Sequence, residues 1–176
     1  MKFLTILLVI TGVLGGELTK DYAQFNNHFS LDFFEKLVKG PSKNFVFSAF
    51  SQETILGLLS LGARGNSAAE LKKVLHLPSS DDQIKSEFNN IYSELEQAQH
   101  VQISTANQIY LADGFKVEDE FLKTATDVFR AGVQNINFKN SEKAVAEMNE
   151  WVAGKTNNKI KNLITKDQIS DITKWY

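Results

Sequence analysis

The chain has 176 residues, enough for one domain of ordinary size. Hydrophobic residues make up 43% and charged residues 23%, a globular balance that excludes a disordered chain. The formal net charge of -2 leaves no global basic field to attract nucleic acid or an anionic membrane.

Residues 1–16 read as a secretory signal peptide. Lys2 gives a weak positive start, and an apolar run from Phe3 to Leu14 follows, broken only by Thr5, Thr11 and Gly12. The run is shorter than the roughly 20 apolar residues of a membrane span. Gly15 and Gly16 supply the small residues at which a signal peptidase cuts. The expected location is therefore secreted, extracellular. The chain has no cysteine, so core burial alone must stabilise it. It has no Asn-x-Ser/Thr sequon, so N-glycosylation is not expected. Thirteen Phe against two Met suggest a core of rigid aromatic fillers.

No repeat or linker divides the rest. Asp21 opens a helix in which Tyr22, Phe25, Phe29, Phe33 and Leu37 share one face, widened by Leu31, Phe34 and Val38. Gly40-Pro41 stops it. Asn44 to Phe47 reads as a short strand. Ser48 or Ser51 caps the next helix, with Glu53 near its positive end. Ile55, Leu56, Leu58, Leu59 and Leu61 surround that helix, which predicts burial under a large body. Gly62-Ala63-Arg64-Gly65-Asn66 is a turn. Ser67 and Glu70 then read as a capping box for a helix carrying Leu71, Val74 and Leu75. After Pro78, Ser80 and Gln83 make a second box. Ile84, Phe88, Ile91 and Leu95 follow at helical spacing.

The period then falls to two. Val101 to Leu111 reads as one long strand, roughly 35 Å at the usual rise, turned by Asp113-Gly114. A helix holds Phe121, Leu122, Ala125, Val128 and Phe129. Val133 to Phe138 is a second strand. Ser141 caps a helix with Ala144, Val145, Met148, Trp151 and Val152 on one side. Beyond Thr156 the chain is polar and reads as extended. The class is α+β, helix-rich, and two strands so far apart leave a sheet that looks incomplete.

Chemistry is thinly signed. Ala153-Gly154-Lys155-Thr156 has the end of a phosphate loop, but Asn149 stands where that loop needs Gly, and a helix precedes it. A helix C-terminus is the plainer reading. Gly62 to Asn66 could cradle a phosphate before a helix, yet a tight turn explains both glycines. His28, His76 and His100 have neither His nor Cys at metal-ligand spacing. Asp81-Asp82 and Asp119-Glu120 sit at helix starts, where the dipole favours carboxylates. The helix from Asp81 to Gln97 sets Lys85 against Asp81, Asp82, Glu87, Glu94 and Glu96, which argues against a heparin-type polyanion. No catalytic, cofactor or metal constellation appears.

Three stretches together resemble the serpins. They are Asn44 to Leu75, with its Ser-x-x-Ser turn and Gly-Ala-x-Gly-x-Ser; Ala106 to Leu111, "ANQIYL"; and Met148 to Ile164, with Asn-x-Trp-Val…Thr-x-x-x-Ile. Their order and spacing match the family. Ala49 stands where the family usually has Pro, and Met148 replaces a common Ile. The resemblance implies a serpin-like, helix-rich N-terminal half with strands of an incomplete large sheet, over residues 17–174. Thr173-Lys174 is similar to the pair after which the family begins a central strand with an apolar run and Asn-Ala. Trp175 and Tyr176 diverge.

By the same resemblance, the full-length form is a suicide-type inhibitor of serine proteases whose cleaved bait loop inserts into the sheet. That loop and its P1 residue are absent from this chain. Ser48 and Ser51 would lie under the sheet where it opens. The resemblance implies a chain unable to inhibit alone, with a serine protease as partner of the full-length form. The other reading is a short binding or decoy product that needs a complementary serpin chain.

Overall fold

The computed structural model describes residues 20–39, 45–98 and 104–176. The chain divides into two compact units at residues 103 and 104. The signal peptide, Gly40-Pro41, Asn44, His100 and the start of the expected long strand lie outside the described residues.

The first unit holds α1 (Lys20–Leu37), α2 (Ala49–Gly62), α3 (Gly65–Val74) and α4 (Asp81–Gln97). Periodicity placed α1 and α4 well. Tyr22, Phe25 and Phe29 of α1 are buried, as are Ile84, Phe88 and Ile91 of α4. Aromatic rings join the helices. Tyr22 lies edge-on to Phe88 at 5.7 Å, and Phe50 of α2 meets Tyr92 at 5.9 Å. Such pairs add about 0.5–1.5 kcal/mol each beyond the area they bury.

Three expectations fail in this unit. Residues 45–47 form no strand, since no partner strand lies beside them among the described residues. Phe45 and Phe47 instead stand near Phe34 and Phe33 of α1, at 6.3 and 5.6 Å. Ser67 and Glu70 do not cap α3. Gly65 takes φ +58° and starts the helix three residues earlier than that cap would, behind Arg64. The Arg64 guanidinium donates to the carbonyls of Leu61 and Ala63, closing the end of α2. The turn reading of this stretch therefore holds, while its cap does not. Finally, α2 is not enclosed: Leu58 and Leu61 are buried, but Ile55 is 50% exposed.

α3 ends on an unusual residue. His76 adopts φ 55°, the left-handed position that Gly normally fills after a helix. The Leu77 amide reaches back to the Lys72 carbonyl at 2.9 Å. The His76 ring in turn meets Asp32 of α1, Nε2 to Oδ2 2.8 Å.

The second unit holds β1 (Asn107–Ala112), α5 (Asp119–Asp127), β2 (Ala131–Ile136) and α6 (Ser141–Lys155). β1 and β2 pair in parallel, with Asn107 opposite Ala131 and Ala112 opposite Ile136. A parallel pair needs a crossover, and α5 supplies it. The expected strand from Val101 is shorter among the described residues, because β2 offers partners only from Ala131 onward. Gly132 faces Gln108, whose amide occupies the space a Cβ would need. Gly114 turns the chain after β1 with φ +78°.

α6 is capped by Asn140, not Ser141. The Asn140 carboxamide oxygen accepts from the Lys143 amide at 3.3 Å. Asn is at least as good a cap as Ser and stands one residue earlier. Ala144 and Met148 of α6 share one core with Tyr110, Ile136 and Phe138.

The segment after Thr156 is more ordered than its polarity predicts. Buried Asn149 of α6 clamps it by two bonds. Its Nδ2 donates to the Ile164 carbonyl at 2.8 Å, and its Oδ1 accepts from the Ile164 amide at 2.9 Å. Ile164 and Ile169 then enter the α6 core. A 3-10 turn, Lys166–Gln168, sits between them, closed by a Thr165–Gln168 capping box. Residues 174–176 finally run antiparallel along β1. The Tyr110 amide donates to the Tyr176 carbonyl at 2.9 Å, and the Ala112 amide to Lys174 at 2.8 Å.

Two stability outcomes follow. Asn149→Leu leaves the Ile164 N–H and C=O buried without partners, so it is expected to cost about 2–4 kcal/mol; a loss under 0.5 kcal/mol in urea unfolding would contradict the clamp. His76→Ala is expected to be less stable than His76→Gly by about 1 kcal/mol, because only Gly takes φ 55° without Cβ strain. Equal midpoints for the two variants would remove the left-handed cap.

Candidate functional site

Ser48 holds the entrance to α2. Its backbone is extended, with φ -118° and ψ 107°, and its Oγ accepts from the Ser51 amide at 3.2 Å. The sequence left the cap open between these two serines; Ser48 is the cap and Ser51 lies inside the first turn. Ala49 stands first in the helix, a position that suits Pro, since its N–H has no helical partner. Both serines are exposed, and no described hydrogen bond joins either to a histidine.

Behind that cap lies a group that sequence reasoning misplaced. Glu53 was expected to complement the positive end of α2, yet it is 0% exposed. Its Oε2 accepts from Asn26 Nδ2 of α1 at 2.6 Å. Among the described residues the other carboxyl oxygen has no partner within hydrogen-bond geometry, and neither do the buried hydroxyls of Tyr22 and Thr54. Burial lifts the Glu53 carboxyl to about 7, with Asn26 and Tyr22 pulling the other way. Burial, then Glu53 itself, push the Tyr22 phenol well above its ordinary range. The available clue was a single carboxylate inside an otherwise apolar helix.

The remaining candidates settle as local structure. Ala153-Gly154-Lys155-Thr156 is the last turn of α6 and its cap. The Thr156 and Asn158 amides are spent on the carbonyls of Val152 and Ala153, so they cannot wrap a phosphate. Asp81-Asp82 and Asp119-Glu120 occupy the first turns of α4 and α5, as expected. Asp81 also meets Lys72 at 2.6 Å. His28 and His76, unrelated in sequence, lie edge to face at 5.3 Å. Among the described residues no group of three His, Cys, Asp or Glu could hold a metal ion.

What the second unit offers is a strand platform. β1 takes β2 on one edge and residues 174–176 on the other, while Tyr110 turns into the α6 core. Such a platform grows by backbone pairing along an edge, not by side-chain chemistry.

Comparison with known proteins fits this arrangement. The profile of the family described as Serpin (serine protease inhibitor) matches residues 24–176. Antichymotrypsin-2 from Bombyx mori is 37% identical over 149 residues, covering 84% of this chain and 40% of that protein. Alaserpin from Manduca sexta is 36% identical over 159 residues, covering 90% and 40%. The crystal structure of Serpin48 from the insect Tenebrio molitor superposes with a TM-score of 0.80 at 30% identity, covering 92% of this chain and 44% of that one. The chain thus spans about two fifths of the length of the curated relatives it matches. Its helix order, its paired strands and these matches together establish that the chain belongs to the serpin family.

Proposed function

We propose that this chain is the N-terminal part of a secreted serpin that, at full length, traps serine endopeptidases by the suicide route. The observation that carries the reading is the β1 platform: it accepts a further strand at 174–176 in a chain two fifths as long as the relatives. One of those relatives is named an antichymotrypsin, which supports a serine endopeptidase as target. On this reading the bait loop and its P1 residue lie beyond Tyr176. Ser48 and Ser51 mark the region that regulates sheet opening and attack nothing themselves. The apolar run of Phe3 to Leu14 supports secretion.

A second reading has its own support. Leu31, Val38, Val46 and Ile55 are large apolar side chains left exposed, Val46 completely. A short product with that surface would act as a binding or decoy module and need a complementary serpin chain to cover it. Neither reading invokes nucleic acid, a heparin-type polyanion or a membrane; among the described residues no helix is long and apolar enough to cross one.

The purified 176-residue chain is expected to form no SDS-resistant complex with chymotrypsin- or trypsin-like proteases. A covalent band from this chain alone would refute the absent-loop reading. A stable, soluble monomer that unfolds cooperatively would count against the need for a covering chain.

A further inference from the structure

We propose that Glu53 is a proton-operated joint between α1 and α2, locked when its carboxyl is protonated and loosened when it ionises. The inference does not rest on the proposed inhibitor role; it rests on where the carboxyl sits. Glu53 is fully buried, and one oxygen is held by Asn26 of α1 at 2.6 Å. Among the described residues the second oxygen lies buried with no partner in hydrogen-bond geometry, as do the Tyr22 and Thr54 hydroxyls.

A buried carboxylate normally requires a cation or several donors. Among the described residues no cation acts on Glu53: the groups that do are Asn26 and Tyr22, both from α1. On α4, Tyr92 acts on Tyr22, and the buried Glu87 makes an interaction of its own. The ionised form therefore leaves a charge held by one hydrogen bond, from the neutral Asn26 amide, and by the weaker pull of the Tyr22 phenol. The neutral acid removes the charge and adds an O–H that can donate within the cluster, which the carboxylate cannot do. The acid form is thus the one that binds α1 to α2.

The direction of titration agrees. The folded carboxyl is raised to about 7, against 4.5 when free. A raised value means that the stabilisation is complete below about 4.5, falls between there and about 7, and is gone above. The gap corresponds to roughly two orders of magnitude in the folding constant.

The test uses the full 176-residue chain. The Glu53 carboxyl carbon is followed by NMR from pH 3 to 9, assigned by its loss in Glu53→Gln. Urea unfolding of both proteins is measured over the same range. The expected results are a Glu53 midpoint near 7 and a folding constant that falls about a hundredfold from pH 4.5 to 7.5 relative to Glu53→Gln. Glu53→Leu, which also carries no proton, should share the flatter profile. A Glu53 midpoint near 4.5, including that of an unfolded chain, would overturn the proposal. So would a Glu53→Gln profile parallel to the unsubstituted one.

Discussion

β1 has a hydrogen-bonded neighbour on each edge, and the order of the second unit follows from that constraint. Its parallel partner β2 can be reached only through a crossover, which fixes α5 between the two strands. On one face, Tyr110 needs apolar cover, which α6 supplies through Ala144 and Met148. On the other edge, the chain must return after α6 and run back along β1. Asn149 makes that return possible by satisfying both backbone groups of Ile164 inside the core. Without the clamp, a segment rich in Lys and Asn would have little reason to pack.

The first unit solves a different problem by different means. A chain without disulfides leans on aromatic burial, and its Phe and Tyr rings knit α1, α2 and α4 together. Within that apolar mass sits one carboxyl, an exception that stabilises the fold least when it is charged. Exposed Ile55 and Val46 show that this unit has apolar surface left over. On the proposed reading, a larger serpin body covers that surplus.

Much of the architecture was legible in the sequence. α1, α4 and α5 carry dense apolar faces at helical spacing, and Ser48 and Ser80 cap where expected. Family membership was legible because three motifs fall in order; no single one of them would have decided it. Features fixed by distant partners were not legible. The length of β1 depends on where β2 begins. The start of α3 depends on Gly65 taking a left-handed backbone, which Ser67-x-x-Glu70 gave no hint of. The tail after Thr156 is held at Ile164 by Asn149, fifteen residues before it, a link invisible to periodicity. Glu53 was misread because a carboxylate near a helix start usually faces water and the helix dipole, whereas this one lies just past the first turn and faces Asn26.

On the proposed reading, this chain is the opening part of a serpin whose sheet continues beyond residues 174–176. The most direct measurement is the sequence of the source transcript past the codon for Tyr176. The expected result is an open frame that reads into an apolar strand, an Asn-Ala pair and, far downstream, a bait loop that reveals P1. A stop codon immediately after Tyr176, with no serpin coding sequence downstream in the gene, would contradict it.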